Sequence, residues 1–181
     1  MKEKEIEKFL RLWGLSPLVG RASKTWSPSG EVKKACNEWI NKFPEPNHLG
    51  IGIIGSDTCH PDVLIYQILS ELLSMDLILV NAHFINLSNI IIKMGSFEDK
   101  NVLINDARRN IQDADLIIFS DLGISSMPAD SKNLVYSLIH RRTEIDKPFI
   151  LSIPGGAESL SDMGVAFMSL INLSCKVVRI S

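Results

Sequence analysis

Residues 49–73 read LGIGIIGSDTCHPDVLIYQILSELL, and the fold turns on how this stretch is parsed. Its first seven residues are a short, continuous apolar run closed by Gly55. That is the pattern of a strand buried on both faces, with its centre at 51–54. From Pro61 onward the apolar residues recur at helical spacing, which predicts a helix over 62–74. A strand, a turn and a helix in this order is where a phosphate-binding loop of the pattern G-x-x-x-x-G-K-[ST] sits. Gly55 fills its first fixed position, and His60, Pro61 and Asp62 fill the other three. The lysine that would reach the phosphates is absent, and so is the hydroxyl that would hold magnesium.

The turn GSDTCHPD therefore has several readings. In an open parallel sheet, ligands bind beyond the carboxyl ends of the strands. A helix N-terminus there offers free N–H groups and a partial positive charge. Asp62 occupies that terminus as an internal anion or as its cap, Pro61 suits the first turn, and Asp57 adds a second negative charge. Two carboxylates without a lysine make a poor triphosphate cradle. A capped turn that binds nothing is the simplest reading. A modified nucleotide or anion site, a protein contact and a catalytic Cys59–His60 pair are the others.

Outward from this stretch the chain alternates. Strands are predicted at 77–81, 116–119, 148–152 and 176–180. Helices are predicted at 87–94, 100–112, 131–142 and 159–173. Near-continuous apolar strands separated by helices imply a mostly parallel sheet covered on both faces, an α/β three-layer sandwich. Upstream, Ile6, Phe9, Leu10 and Trp13 mark a helix over 3–13, and Val32, Cys36, Trp39 and Ile40 mark another over 31–42. Between them, 15–30 reads as irregular because Pro17, Gly20, Pro28 and Gly30 interrupt it. The organisation expected is an N-terminal helical segment over 1–47 packed on an α/β domain over 48–181.

Other strand ends carry polar residues. ADLIIFSDLG, 114–123, is an apolar strand closed by Ser120 and Asp121, where Asp121 either serves a site or caps the next turn. The strand at 148–152 closes on Ser152, followed by the turn IPGG. Arg141 and Arg142 end the helix at 131–142, matching its negative pole, and Arg108 and Arg109 occupy a similar amphipathic segment. A solvated surface role is the plainer reading for all four, and contact with an acidic partner or nucleic acid is the other. Trp26 lies in TWSPSG and either folds back over the sheet or faces a partner as an anchor.

Bulk properties narrow the function classes. The 181 residues suffice for one domain with a real core. Residues 1–47 carry nine basic and six acidic side chains, a charge of +3, against –5 for the remainder. An acidic body excludes a body-wide nucleic-acid surface and leaves a local patch in the head, including Lys33, Lys34 and Lys42. Cys36, Cys59 and Cys175 have no metal-ligand spacing, and their odd, scattered count suits a reducing cytoplasm. His48, His60, His83 and His140 form no metal motif. No apolar run approaches the roughly 18 residues of a membrane span, and the charged start lacks a signal-peptide core.

These segments together resemble the AAA+ core of bacterial replicative helicase loaders and the related transposition ATPases. In that family an aromatic-bearing segment leads into a strand and the Walker A loop, as FPEPNHLGIGIIGSDTCHPDVLIYQILSELL does here. The Walker B strand is a hydrophobic run, two acids, leucine and glycine; here Ser120 and Asp121 hold the acid positions. The next helix ends in an arginine before a strand that begins with proline. NLVYSLIHRRTEIDKPFILS follows that course, with Arg141 or Arg142 as the match and Ser152 at the polar sensor position.

The resemblance, which covers roughly residues 34–180, implies a P-loop NTPase-like core of five strands in the order 5-1-4-3-2. A Rossmann-like module is the competing architecture, and strand order separates the two. The resemblance also implies degenerate Walker A and Walker B motifs at Gly55, Asp57, His60, Pro61, Asp62, Ser120, Asp121 and Ser152. No basic residue lies in 161–173 to act as an arginine finger, and no lid is expected after strand five. Loss of the lysine, its neighbour and the first acid together removes most of what positions phosphates and metal. The expectation is a non-hydrolysing protein with no catalytic residues, no cofactor and no metal. It would bind proteins of DNA replication initiation or replisome assembly, as a homo-oligomer or beside an AAA+ protein. The alternatives are a DNA-binding accessory protein and a nucleotide-binding protein or ATPase with an atypical site.

Overall fold

A computed structural model describes residues 3–12, 15–44, 49–55, 61–75, 81–87, 100–120, 122 and 129–180. Three helices come first: α1 (Glu3–Leu12), α2 (Pro17–Ser23) and α3 (Gly30–Ile40). Then follow β1 (Gly50–Gly55), α4 (Pro61–Ser74), β2 (Ala82–Asn86), α5 (Lys100–Asp113), β3 (Leu116–Ser120) and α6 (Ala129–Glu144). The chain continues with β4 (Phe149–Ile153), α7 (Gly156–Ser161), α8 (Val165–Ser174) and β5 (Cys175–Ile180).

The strands form one sheet in the order β2-β3-β4-β1-β5, with every described pairing parallel. This is the 5-1-4-3-2 arrangement that the resemblance implies, and it sets the Rossmann-like alternative aside. β1, β3 and β4 are buried along their whole length, as their unbroken apolar runs require. The two edge strands are only partly buried: β5 exposes Lys176 and Arg179 and buries Val178 and Ile180, and β2 buries Ala82 and Ile85. Successive residues face opposite layers. Leu116 and Ile118 join Ile51, Ile53 and Ile150 under α1–α4, while Ile117 and Phe119 join Phe149, Leu151 and Ile153 under α5–α8.

Three departures from the sequence reading have physical causes. Residues 17–23 form a helix where irregular chain was expected. Pro17 opens it, where a missing N–H costs nothing, and the Ser16 hydroxyl accepts from the Leu18 amide at 3.2 Å as its cap. The single helix expected over 159–173 is two, divided at Gly164, whose φ of 91° suits only glycine. The second strand is Ala82–Asn86, not 77–81. The apolar run before Asn81 drew the assignment, whereas ladder pairing runs from Ala82 opposite Leu116 to Asn86 opposite Ser120. Asn81 staples the entry of this strand to the next: its carbonyl accepts from the Asp115 amide at 2.9 Å, and its side-chain amide donates to the Asp113 carbonyl at 3.2 Å. Residues 76–80 and 88–99, with most of the helix expected at 87–94, lie outside the described residues.

Cys36 and Cys175 are free and buried. Burial pushes the Cys36 thiol up to about 11, and pushes Cys175 up to about 12 against the opposing Ser174 hydroxyl. Both acid pKa values are raised on folding, so their contribution to stability is complete below the unfolded pKa of about 8.5. Above that pH the unfolded thiols ionise while the folded ones keep their protons. Stability should then fall by about 1.4 kcal/mol per pH unit per thiol. Denaturant titrations at pH 8 and pH 10 read this slope, and a Cys36→Ala/Cys175→Ala protein should lack that share of it.

Candidate functional site

The parallel sheet aligns the carboxyl ends of β1, β3 and β4, so Gly55, Ser120 and Ser152 close three neighbouring strands at one edge of the fold. Ser120 and Ser152 are buried. The Leu122 amide donates to the Ser152 carbonyl at 3.0 Å and carries the β3–β4 contact past the end of the ladder. Behind β4, Gly155 and Gly156 turn the chain at φ of 85° and 76° into α7. A Cβ on Gly156 would lie 3.9 Å from the Gly55 carbonyl, so the β4 turn passes directly behind the end of β1. On the other side Pro61 is buried and opens α4, with half-buried Asp62 in its first turn. Asp57, His60 and Asp121 lie outside the described residues.

The structure thus gathers Gly55, Pro61, Asp62, Ser120 and Ser152 around one strand edge. None of these five carries a positive charge to meet a phosphate. Pro61 donates no N–H, and the Asp62 carboxylate stands in the first turn, where the helix pole would otherwise attract an anion. Among the described residues no group of three or more His, Cys, Asp or Glu could hold a metal, and no helix is long and apolar enough to cross a membrane.

The other candidates separate. Lys33 and Lys34 are exposed on α3. Arg108 and Arg109 are exposed on α5, with Arg109 4.0 Å from Asp106. Arg141 is exposed on α6 and donates to Glu144 at 3.2 Å. Trp26 is half-buried and folds back against the core under α1–α4, and its carbonyl accepts from the Gln67 side chain at 3.0 Å.

Arg142 overturns the surface reading given to it. It is fully buried and its guanidinium makes five hydrogen bonds to four carbonyls. Nη1 donates to Ile111 and Ala114 at 2.8 Å each, Nη2 to Asp115 at 2.8 Å and Pro148 at 3.0 Å, and Nε to Pro148 at 3.2 Å. The side chain ties the end of α5 to the entries of β3 and β4, at the opposite end of the sheet from Ser120 and Ser152. Burial lowers its pKa to about 10 against the opposing field of Asp115, so it stays charged at neutral pH. A signal existed: Ser131, Leu134, Val135, Leu138, Ile139 and Arg142 are the buried stripe of α6, spaced three and four apart. The doubling of Arg141 and Arg142 at a helix end obscured it.

The sequence matches no family model, and it matches no curated protein. Solved structures do match the fold. The chain aligns with DnaI at a TM-score of 0.68 and 12% identity, over 93% of this chain and 92% of that one. It aligns with the DnaC helicase loader at a TM-score of 0.69 and 14% identity, over 92% and 100%. The replication initiator DnaA bound to AMPPCP and single-stranded DNA gives a TM-score of 0.65 and 15% identity, over 86% of this chain and 47% of DnaA. At such identities the likeness is one of fold: the chain shares the α/β core of these structures.

Proposed function

We propose that this chain is a non-hydrolysing AAA+-like adaptor or regulator, acting in the cytoplasm by binding proteins of DNA replication initiation or replisome assembly. One observation carries the reading. The strand order and strand ends of the core are intact, while the positions that would hold phosphate and magnesium are Pro61, Asp62 and Ser120. An ATPase site needs its cation, its magnesium hydroxyl and its acid together. The sheet that once served such a site serves here to present the outer faces of the helices. The proteins that share the fold include a helicase loader and a replication initiator, which supports the choice of partner class.

The test has two arms. Purified protein should show neither saturable magnesium–ATP binding nor phosphate release above buffer. Turnover that disappears in Asp121→Ala would falsify the non-hydrolysing reading. Affinity capture from a lysate, followed by mass spectrometry and light scattering, should recover a helicase, loader or initiator in a defined stoichiometry. Recovery of the enzymes of a small-molecule pathway instead would count against the partner class.

A further inference from the structure

We infer that the helical head carries an anion pocket for a phosphate group, formed by Arg11, Arg21 and Lys24 over Tyr66 and separate from the strand-edge site. The cavity lies between α1, α2 and α4 and measures about 310 Å³, at the low end of the range for small-molecule sites. Its rim carries three cations and one acid, Glu7. The Lys24–Glu7 pair is 3.7 Å apart and solvent-exposed, so it is worth less than about 1 kcal/mol and yields readily to a better anion.

The charge balance sets this cavity apart. In the groove between α3 and α4, Lys33 is offset by Glu71. The groove between α5 and α6 carries two arginines, Arg108 and Arg141, against one acid, a smaller surplus, and there the Glu144 carboxylate already holds Arg141 at 3.2 Å and lies 3.6 Å from His140. Arg11 and Arg21 each sit in the last turn of a helix, where a cation suits the helix pole. Those two poles contribute about half a negative charge each, which leaves a rim of +2 still positive by about one charge.

The pocket is also built to hold its shape. Gly20 packs so closely on Tyr66 that a Cβ there would lie 3.0 Å from the tyrosine oxygen and 3.1 Å from Cε2. Gln67 Nε2 donates to the Ser23 and Trp26 carbonyls at 3.1 and 3.0 Å and pins the end of α2 to α4. Buried Leu10 and Leu15 line the wall between α1 and α2. Arg21 and Lys24 are thus presented from an anchored helix, which lowers the ordering cost of binding. A phosphate offers the oxygens and charge that two guanidiniums and an ammonium recognise.

The source of the phosphate is either a free ion or a nucleic-acid backbone, and two probes tell them apart: inorganic phosphate by calorimetry and a labelled oligothymidylate by anisotropy, both at low salt. Wild-type protein should bind at least one. Arg11→Gln/Arg21→Gln should weaken that binding by about tenfold or more, and Arg11→Lys/Arg21→Lys should restore most of it. Lys176→Gln/Arg179→Gln removes the same charge from the exposed edge of β5 and should bind like wild type. Tighter binding of the oligonucleotide with a steep salt dependence assigns the backbone; equal affinity for the free ion assigns the ion. Failure of both probes, or equal losses in the two glutamine variants, would overturn the assignment. Either result is independent of whether the strand-edge site hydrolyses nucleotide.

Discussion

Arg142→Met is expected to destabilise the protein by about 3–5 kcal/mol, the range for removing one side of a buried, hydrogen-bonded charge network. Methionine fills much of the volume but donates nothing. The carbonyls of Ile111, Ala114, Asp115 and Pro148 then lose five hydrogen bonds. Ile111 and Ala114 stand at the end of α5, where carbonyls have no intrahelical donor, so the loss falls on groups with few alternatives. For a chain of this length that cost corresponds to a melting point lower by roughly 10 °C. Arg142→Lys keeps the charge but offers one compact ammonium in place of a planar fork, and should recover less than half of the loss. Arg141→Met, one residue away on the exposed face, should stay within about 0.5 kcal/mol of wild type. Equal melting points for the two methionine variants would show that the clamp is not what holds α5, β3 and β4 together.

Most of the core was legible because burial on both faces leaves a strong trace. GIGIIG, LIIFS and FILSI are unbroken apolar runs, and each became a central strand within a residue or two of the expected bounds. The edge strand β2 was misplaced because AHFIN has two buried side chains and three partly exposed ones, a weaker signal than the apolar run just before Asn81. α2 was not legible because proline and glycine ordinarily interrupt a helix. Pro17 instead starts the helix, and Gly20 is required by the tyrosine packed on it. The candidate site was legible as a set of substitutions, since the resemblance implied a strand order that brings Gly55, Ser120 and Ser152 together. The basic pocket was not legible. Arg11, Arg21 and Lys24 share no motif, and only the docking of α2 on α4 assembles them. Arg142 shows the converse: its helical register was available, but a charged residue is seldom placed on a buried stripe without a sight of the carbonyls that receive it.

Gly50→Ala is the second large effect expected, and it bears on the candidate site. Gly50 opens β1, an interior strand, opposite Phe149 of β4 on one side and Cys175 of β5 on the other. A Cβ there would lie 2.5 Å from the Cys175 sulfur and 2.6 Å from two ring carbons of Phe149. Neither neighbour can retreat cheaply. The Phe149 ring is fully buried and packs edge-on against Phe119 at 6.1 Å, and Cys175 is buried beneath α8. Overpacking of this kind costs about 1–3 kcal/mol, and two simultaneous clashes put this case at the upper end. Gly52→Ala on the same strand is the control. Its Cβ would meet nothing closer than 3.7 Å, and the loss of glycine's unfolded-state freedom should make it neutral or mildly stabilising. Relief of both clashes in Gly50→Ala/Phe149→Leu/Cys175→Ala should return more stability than the single changes predict, because the three side chains share one space. β1 ends at Gly55, so a displaced β1 also shifts that residue against Ser152 and the Gly156 turn. Gly50→Ala should therefore perturb amide resonances at the strand edge as well as the melting point. Identical melting points for Gly50→Ala and Gly52→Ala would mean that β1 does not pack this closely between its neighbours.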